Sequence, residues 1–421
     1  MGFQVPELLA PAGDLEILRT AAFYGADAVY FGGRIGSLRA DASGFSLEDI
    51  SFGVRFLHEH GRKAYLTLNI FPHAEDMAEL ETFIAAISDF GLDAFIVSDP
   101  AVIALLQKHV DSPELHLSTQ ANVTNATAAR FWHKAGVSRL VLARELSLSE
   151  IRTIREETPD TLELEAFVHG AMCISYSGRC LLSSVMTGRD GNRGECAQPC
   201  RWEYSIGDIR GATLTEQLRP GEKFGIEEDE RGTYIMNSKD LCLVRHLGEL
   251  HEAGVTSFKI EGRMKSLYYV ATVVNTYRYM MDRLSGISNT NLSFGETSEK
   301  AEEDLAKVSH REYTTGFLFG KAGPDSQKYD TSSYIRGWSF IGTVIAFDDE
   351  EMIATIEQRG KFSVGETLEI FGPGLVGFLQ QVKWIKDEEG NEMSSAPHPM
   401  QHVKIPIEQK VEAGYMLRRK A

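Results

Sequence analysis

The first 285 residues repeat one unit, in which a short apolar run is followed by a turn and an amphipathic stretch. Alternating strand-like and helix-like segments are typical of β/α units built around a parallel sheet. The strand-like runs cover residues 5–10, 27–31, 63–69, 93–97, 114–118, 139–143, 162–168 and 256–260. Eight such units predict an α/β fold, a (β/α)8 TIM-like barrel.

Helix signals between the runs support this count. Asp14, Ser46 and Ser147 precede predicted helices, and Ser147 stands at capping-box spacing from Glu150. Residues 266–284 show apolar side chains at spacings of three, four and seven, which predicts a long final helix with one buried face. Glycines mark the turns that return from helix to strand, at Gly25, Gly61, Gly91, Gly136 and Gly254.

One interval interrupts the repeat. About 85 residues separate the seventh run from the eighth, far more than a barrel loop needs. We therefore predict an insertion at residues 170–236, directly after the seventh strand. Active sites of such barrels lie at the carboxyl ends of the strands, so the insertion should lie over the catalytic mouth.

The domain organisation follows from the end of the repeat. We predict a barrel domain over residues 1–285, which contains the insertion, a connector over 286–333 and a C-terminal domain over 334–421. The connector is polar and contains one predicted short helix at 299–308. The C-terminal part consists of short β runs separated by turn residues such as Gly372, Pro373 and Gly374, which predicts a small all-β barrel.

Charge and hydropathy exclude some classes of protein. The formal net charge of −17 argues against indiscriminate binding to nucleic acid, so any RNA contact must use a local basic patch. No stretch reaches the roughly 18 apolar residues of a membrane span, and the first residues lack the pattern of a signal peptide. We therefore expect a cytoplasmic protein without membrane association.

Four of the five cysteines lie within 28 residues, at Cys173, Cys180, Cys196 and Cys200. In a reducing compartment such a group indicates metal ligands or nucleophiles rather than disulfides. Four thiolates can hold either zinc or an iron–sulfur cluster, and the geometry alone leaves both open. The absence of paired C-x2-C hairpins favours iron–sulfur over zinc, and the simplest alternative is that some of these cysteines are small buried hydrophobic residues.

Charged residues occupy the predicted carboxyl ends of strands seven and eight. Glu165 and His169 share one face of an ideal strand with Phe167, although a lone histidine in such a place is more often structural. Charges at the end of the eighth strand either form a salt-bridged ring or meet an anionic substrate. The candidate catalytic residues are Glu165, His169, Lys259, Glu261 and Arg263.

Other polar residues outline a predicted pocket. Asn69, Gln120, Asn122 and Arg144 follow strands three, five and six, and they are the candidate substrate-binding residues together with Lys239. Each of them is more often structural when taken alone, and the stretch around Lys239 can simply cap a helix. The motifs of common peptidases are absent, because neither His58-Glu59 nor His251-Glu252 has the zinc-protease spacing and no Gly-x-Ser-x-Gly occurs.

The stretch EAFVHGAMCISYSGRCLLS, from Glu165 to Ser183, resembles the signature of the collagenase-like peptidase family U32. The similarity covers essentially the whole chain. It includes ELLAPAG at 7–13, GECAQPCRW at 194–202, NSKD at 237–240, KIEGR at 259–263 and FSVG at 362–365.

The resemblance implies oxygen-independent 5-hydroxylation of the wobble uridine of tRNA, with prephenate as the hydroxyl source. It also implies a 4Fe-4S cluster bound by Cys173, Cys180, Cys196 and Cys200, with Cys242 outside the ligand set. The expected partners are tRNA, a small anionic co-substrate that Lys259, Arg263 and Arg144 would bind, and a protein that supplies electrons. The alternatives are a collagenase-like peptidase and a cluster-bearing partner in an anaerobic hydroxylation complex.

Overall fold

The computed structural model describes residues 5–37, 44–172, 180, 183, 196–197, 213–215, 223–225, 227–229, 232–234, 239–287, 292–320, 334–374 and 377–421. The first seven strands are Glu7–Pro11 (β1), Ala28–Gly32 (β2), Lys63–Leu68 (β3), Ala94–Val97 (β4), Leu115–Leu117 (β5), Arg139–Val141 (β6) and Glu163–Ala171 (β7). Thr213–Thr215 (β8), Lys223–Gly225 (β9), Glu227–Asp229 (β10) and Gly232–Tyr234 (β11) follow, and then Asp240–Cys242 (β12) and Ser257–Ile260 (β13).

Strands β1 to β7 and β13 form a closed parallel barrel. Neighbouring strands pair in chain order, and β13 closes the ring because it pairs with both β7 and β1. Each of the eight predicted runs overlaps one of these strands, so the predicted TIM-like barrel is confirmed.

Helices surround the barrel and begin where the sequence predicts. Asp14 accepts the Ile17 N–H at 2.8 Å, and Ser46 and Ser147 each form a capping box. All five predicted turn glycines adopt a positive φ. The barrel helices are Leu15–Phe23 (α1), Leu47–Glu59 (α2), Met77–Ile87 (α3), Pro100–His109 (α4), Ala126–Lys134 (α5), Leu148–Glu156 (α6), Leu247–Glu252 (α7) and Leu267–Leu284 (α8).

Strand β7 continues beyond the barrel wall and pairs there with β12. The two strands are antiparallel, with Ala171 opposite Asp240 and His169 opposite Cys242. Strand β14 (Tyr313–Thr314) pairs with β12 on its other side. The chain therefore leaves the barrel after Ala171 and returns beside the same point at Asp240.

The C-terminal part is all-β, as predicted, and forms an antiparallel half-barrel with its own apolar core. Its strands are Trp338–Asp348 (β15), Ile353–Gln358 (β16), Phe362–Ser363 (β17), Thr367–Phe371 (β18), Phe378–Gln381 (β19), Ile385–Lys386 (β20), Glu392–Met393 (β21), Ser395–Ala396 (β22), His402–Pro406 (β23) and Met416–Lys420 (β24). The main sheet has eight strands in the order β19-β18-β24-β15-β16-β23-β20-β21, and β17 pairs with β22.

One more helix, Phe294–Leu305 (α9), lies in the connector and contributes to the contact between barrel and half-barrel. It begins earlier than the predicted 299–308, because Ser293 and Glu296 form a capping box. Arg418 of β24 is fully buried against Asp304 of α9 and Glu369 of β18. No helix among the described residues is long and apolar enough to cross a membrane.

Candidate functional site

The barrel interior contains a buried ion-pair network below its mouth. Lys259 Nζ lies 2.7 Å from Glu165 Oε1, and Ser257 Oγ donates to Glu165 Oε2 at 3.1 Å. Arg139 pairs with Glu165 and with Glu7. Burial lowers the pKa of Lys259, and the Glu165 carboxylate opposes that shift. The sequence left open whether the charges at the end of the eighth strand form salt bridges or meet an anionic substrate. Lys259 forms a salt bridge.

Above this network, the carboxyl ends of the strands form a polar layer. Arg263, which follows β13, reaches across the mouth and donates from Nη1 to Ser37 Oγ at 2.5 Å and to Thr67 Oγ1 at 2.9 Å. Gly32 makes this approach feasible, because a Cβ there would lie 2.6 Å from Arg263 Nη1 and 2.1 Å from Ser37 Oγ. Arg263 therefore belongs to the mouth, where the hydroxyl groups of Ser37 and Thr67 help to orient its guanidinium.

Gln120 and Asn122 lie at the end of β5, in the same polar layer. Gln120 Oε1 accepts from Ser98 Oγ and Ser118 Oγ, each at 3.3 Å, which orients the amide so that Nε2 faces away from both hydroxyls. Gln120 Nε2 and Asn122 Oδ1 are buried and have no hydrogen-bond partner among the described residues. Asn69, at the end of β3, is also buried. The unsatisfied amide atoms of Gln120 and Asn122 are costly, so they favour a polar ligand or water here.

Arg144 connects the mouth to the start of the insertion. Its Nη1 donates to the Ala171 carbonyl at 2.7 Å, and its guanidinium carbon lies 5.4 Å from the centre of the Phe167 ring. Arg144 and Phe167 line a mainly apolar cleft that also includes Leu241 and Thr315. Burial raises the pKa of the neighbouring Glu145, and the positive charge of Arg144 counteracts this shift.

The expectation that His169 shares a face with Glu165 and Phe167 is wrong. Two steps along β7, from Phe167 to His169, correspond to a single step along β13, from Lys259 to Ile260. This β-bulge turns the His169 side chain away from the ion-pair network. The imidazole instead packs against Tyr269 and Tyr277 of α8 and against Tyr313, and its Nδ1 lies 3.3 Å from the Tyr277 hydroxyl. Burial lowers the pKa of His169 to about 3, so the ring is neutral at physiological pH.

Glu261 and Lys239 lie near the base of the insertion. The Glu261 N–H donates to the His169 carbonyl at 2.9 Å, and the Glu261 carbonyl accepts from the Tyr269 hydroxyl at 3.2 Å. Lys239 Nζ lies 3.2 Å from Glu312 Oε2. The structure thus brings Arg263, Gln120 and Asn122 to the mouth, whereas Lys239 lies at the return of the insertion and Glu165 lies beneath the mouth.

Of the four clustered cysteines, Cys180 and Cys196 are described, and Cys173 and Cys200 lie outside the described residues. The Ala197 N–H donates to Ser183 Oγ at 2.9 Å, which joins the segments of Cys180 and Cys196. Within the described part of the chain, Cys180, Cys196 and Cys242 form no disulfide. Burial raises the pKa of the Cys242 thiol to about 11, as expected for a cysteine outside a ligand set. The shared metal centre stays a prediction.

Sequence reasoning missed four hydroxyl residues of the mouth, which are Ser37, Thr67, Ser98 and Ser118. For three of them the sequence contains a signal, the alternation of side chains along a strand. Thr67 and Ser118 stand two positions before Asn69 and Gln120, and Ser98 stands two positions after Ile96, so strand alternation places each of them on the inner face. No such signal exists for Ser37, since it follows a loop.

Comparison with known proteins identifies the family. The model described as Peptidase family U32 matches residues 13–328, and Peptidase family U32 C-terminal domain matches residues 336–418. A Bacillus subtilis (strain 168) protein named "tRNA hydroxylation protein P1" is 41% identical and covers 98% of this chain and 94% of its own. The "23S rRNA 5-hydroxycytidine C2501 synthase" of Escherichia coli (strain K12) is 36% identical over 78% of this chain and 47% of its own. "Collagenase" of Porphyromonas gingivalis (strain ATCC BAA-308 / W83) is 32% identical, with coverage of 98% and 97%. The chain therefore belongs to peptidase family U32.

Proposed function

We propose that this protein is an RNA-modifying enzyme that 5-hydroxylates the wobble uridine of tRNA with the help of an iron–sulfur cluster. The names of two relatives support hydroxylation of an RNA nucleoside. The structural observation that favours this activity is the 2.7 Å hydrogen bond from Arg144 to the Ala171 carbonyl. It joins the polar mouth of the barrel to β7, the strand that precedes residues 172–239. We refer to these residues, which include Cys173, Cys180, Cys196 and Cys200, as the cysteine segment. A substrate in the mouth would lie close to the start of that segment.

The donor set of the cysteine segment fits a cluster. Cys173, Cys180, Cys196 and Cys200 would hold it, because thiolates are the ligands that iron–sulfur clusters require. The Ser183–Ala197 hydrogen bond supports a shared centre, since it draws the segments of Cys180 and Cys196 together. When bound, the cluster would supply one-electron redox chemistry. Zinc is the alternative metal for the same donor set.

The mouth suits an anionic co-substrate such as prephenate. Arg263 and Arg144 follow β13 and β6, which are separated in the ring by β7 alone. Guanidinium groups bind carboxylates through paired charge-assisted hydrogen bonds. Prephenate has two carboxylates, one for each arginine. Lys259 is not part of this proposal, because its ammonium group is engaged by Glu165 below the mouth.

Two observations disfavour the peptidase alternative. His58 and His251 lie on the outer helices α2 and α7, and His58 Nε2 is 2.8 Å from Asp93 Oδ2. His169 is enclosed by three tyrosines and does not face the mouth. Peptide cleavage that survives purification and is lost in the Arg144→Ala variant would reverse this preference.

The substrate can be tested in a strain that lacks the gene. We expect mass spectrometry of its tRNA nucleosides to show loss of 5-hydroxyuridine and recovery after expression of the full chain. Arg144→Ala should fail to restore the nucleoside, whereas Arg130→Ala, on the outer helix α5, should restore it. Unchanged 5-hydroxyuridine in the deletion strain, in the absence of a paralogue, contradicts the tRNA assignment.

The cofactor can be tested on protein purified without oxygen. We expect iron and sulfide, a brown chromophore, and loss of both in Cys196→Ser. Cys242→Ser is the matched control, because the protonated thiol of Cys242 should not bind iron. Equal iron content in all three proteins contradicts the four-cysteine ligand set.

A further inference from the structure

Lys265 lies beside the barrel mouth between two tyrosine rings. Its Nζ is 5.0 Å from the centre of the Tyr269 ring and 4.8 Å from the centre of the Tyr334 ring. These distances suit cation–π contacts. Tyr269 belongs to α8, whereas Tyr334 opens the stretch that leads into the half-barrel. The contact therefore joins the end of the barrel to the start of the C-terminal domain.

The neighbours of these two residues are exposed. Met264 is 57% exposed and Ile335 is 43% exposed, and Arg336 is exposed as well. We refer to Met264, Lys265, Tyr334, Ile335 and Arg336 as the rim patch. It combines two cations with large accessible apolar or aromatic side chains, which is the composition of surfaces that bind single-stranded nucleic acid.

The charges of the rim patch stand out against an acidic protein. The net charge of the chain is −17, yet within the described ranges neither Lys265 nor Arg336 has a carboxylate at ion-pair distance. Two exposed lysines of the C-terminal part are instead paired, Lys410 with Asp349 at 2.8 Å and Lys383 with Glu408 at 2.9 Å. The rim patch is thus a local positive surface of the kind that phosphate binding requires.

The rim patch also lies between the two parts of the proposed site. Lys265 follows two residues after Arg263, which crosses the mouth. On the other side, the Ile335 N–H donates to the His310 carbonyl at 2.7 Å, and His310 stacks on Tyr313 at 4.4 Å. Tyr313 pairs with Asp240, where the cysteine segment returns. A nucleotide inserted into the mouth would therefore leave its neighbours at the rim patch.

We propose that the rim patch binds the single-stranded RNA that flanks the target nucleoside, an inference that rests on the proposed function for the identity of the RNA. Enzymes that modify a base take it out of the stack, so the flanking nucleotides need a binding surface of their own. Bases stack on Tyr334 and pack on Met264 and Ile335, and phosphates contact Lys265 and Arg336. The protein thereby binds RNA locally despite its negative overall charge.

The test measures how the full chain binds a labelled anticodon stem-loop, by fluorescence anisotropy over a range of salt concentrations. Arg336→Glu should weaken binding about tenfold or more and lower the slope of log K against log salt by about one, because a phosphate contact is lost. Tyr334→Ala should weaken binding without changing the slope, since stacking releases no counterions. Lys410→Glu makes the same charge change at a paired lysine and should bind like the wild type.

Three outcomes would overturn the proposal. They are wild-type binding by both rim variants, an equal loss in Lys410→Glu, and equally tight binding of a fully double-stranded RNA. Thermal unfolding of Arg336→Glu at the wild-type temperature excludes misfolding as the cause of weaker binding. The nucleoside measurement separates the two proposals. If the full chain restores 5-hydroxyuridine but the rim variants bind RNA normally, the rim-patch proposal alone is overturned. Rim-dependent RNA binding without recovery of the nucleoside overturns the hydroxylase alone.

Discussion

The Glu165 side chain is fully buried in the barrel and connects three strands. Its carboxylate contacts Lys259 and Ser257 of β13 and Arg139 of β6. Because β13 is the strand that closes the ring, this network ties the closing strand to β7 and β6. The sequence places these residues on inner faces by alternation, but it contains no signal that tells an internal ion pair from a substrate contact.

Substitution of Lys259 tests the network. We expect Lys259→Met to lower the free energy of unfolding by about 3–5 kcal/mol, since the buried Glu165 carboxylate loses a partner. Lys63→Met is the control, because Lys63 is 57% exposed at 3.6 Å from Glu7 and its ion pair should contribute less than about 1 kcal/mol. Urea unfolding measures both. Similar losses in the two variants contradict a structural role for the buried pair.

His169 should make stability depend on pH. Burial lowers its pKa from 6.5 to about 3, so between these values the unfolded chain binds a proton that the folded protein does not. The stabilising contribution is therefore complete above pH 6.5 and is lost as the pH falls toward 3. We expect the unfolding free energy of the wild type to fall over this range, and to fall less steeply in His169→Phe. Burial lowers the pKa of His116 in the same direction, so the remaining slope in the variant should not be zero. Parallel slopes for the two proteins contradict the prediction.

At the scale of elements, the sequence predicts where β7 begins but not how far it extends. Its apolar alternation and its start follow from the sequence, whereas its extension to Ala171 depends on hydrogen bonds to β12. Strand β12 is separated from β7 by the whole insertion, so local periodicity contains no information about that pairing. The bulge between Phe167 and His169 has the same origin, because it lies where β7 passes from pairing with β13 to pairing with β12.

Gly32, the last residue of β2, gives a test of the mouth. Gly32→Ala should displace the Arg263 guanidinium, because its Cβ would overlap Ser37 Oγ and approach Arg263 Nη1. We expect a destabilisation of about 1–3 kcal/mol from overpacking, and failure to restore 5-hydroxyuridine in the deletion strain. Gly337→Ala is the control, since a Cβ at this position meets no atom within 4 Å. Normal nucleoside content with Gly32→Ala would show that the position of Arg263 is unimportant.

At the scale of the whole molecule, the barrel and the half-barrel share a buried polar contact. Composition and turn residues predict where the barrel ends and where the all-β part begins. They do not predict which residues form the contact between the two. Arg418 donates to Glu369 Oε1 at 2.7 Å and also pairs with Asp304 of α9. Asn275 of α8 donates to the Gly374 carbonyl at 2.6 Å and accepts from the Gly374 N–H at 2.7 Å. The partners are far apart in the chain, so only the folded structure brings them together.

Two adjacent arginines test this contact. Arg418→Met removes one of the two cations that pair with the buried Asp304 and Glu369 carboxylates, while Lys307 keeps its 2.9 Å contacts with both. We expect a loss of about 2–3 kcal/mol and a lower, broader calorimetric transition as the two parts uncouple. Arg419→Met removes a partly exposed pair with Glu366 and should cost about 1 kcal/mol or less. Identical transitions in the two variants contradict coupling through Arg418.

The pairing of Ala171 with Asp240 means that the cysteine segment begins and ends at one point of the barrel wall. Its length is nearly unconstrained, because doubling a closed loop costs only about 0.6 kcal/mol more. The eight strands can then remain unchanged while the segment lengthens, shortens or is replaced. In evolutionary terms the junction at Ala171 and Asp240 is a tolerant insertion point, where residues can be gained or lost without rebuilding the barrel.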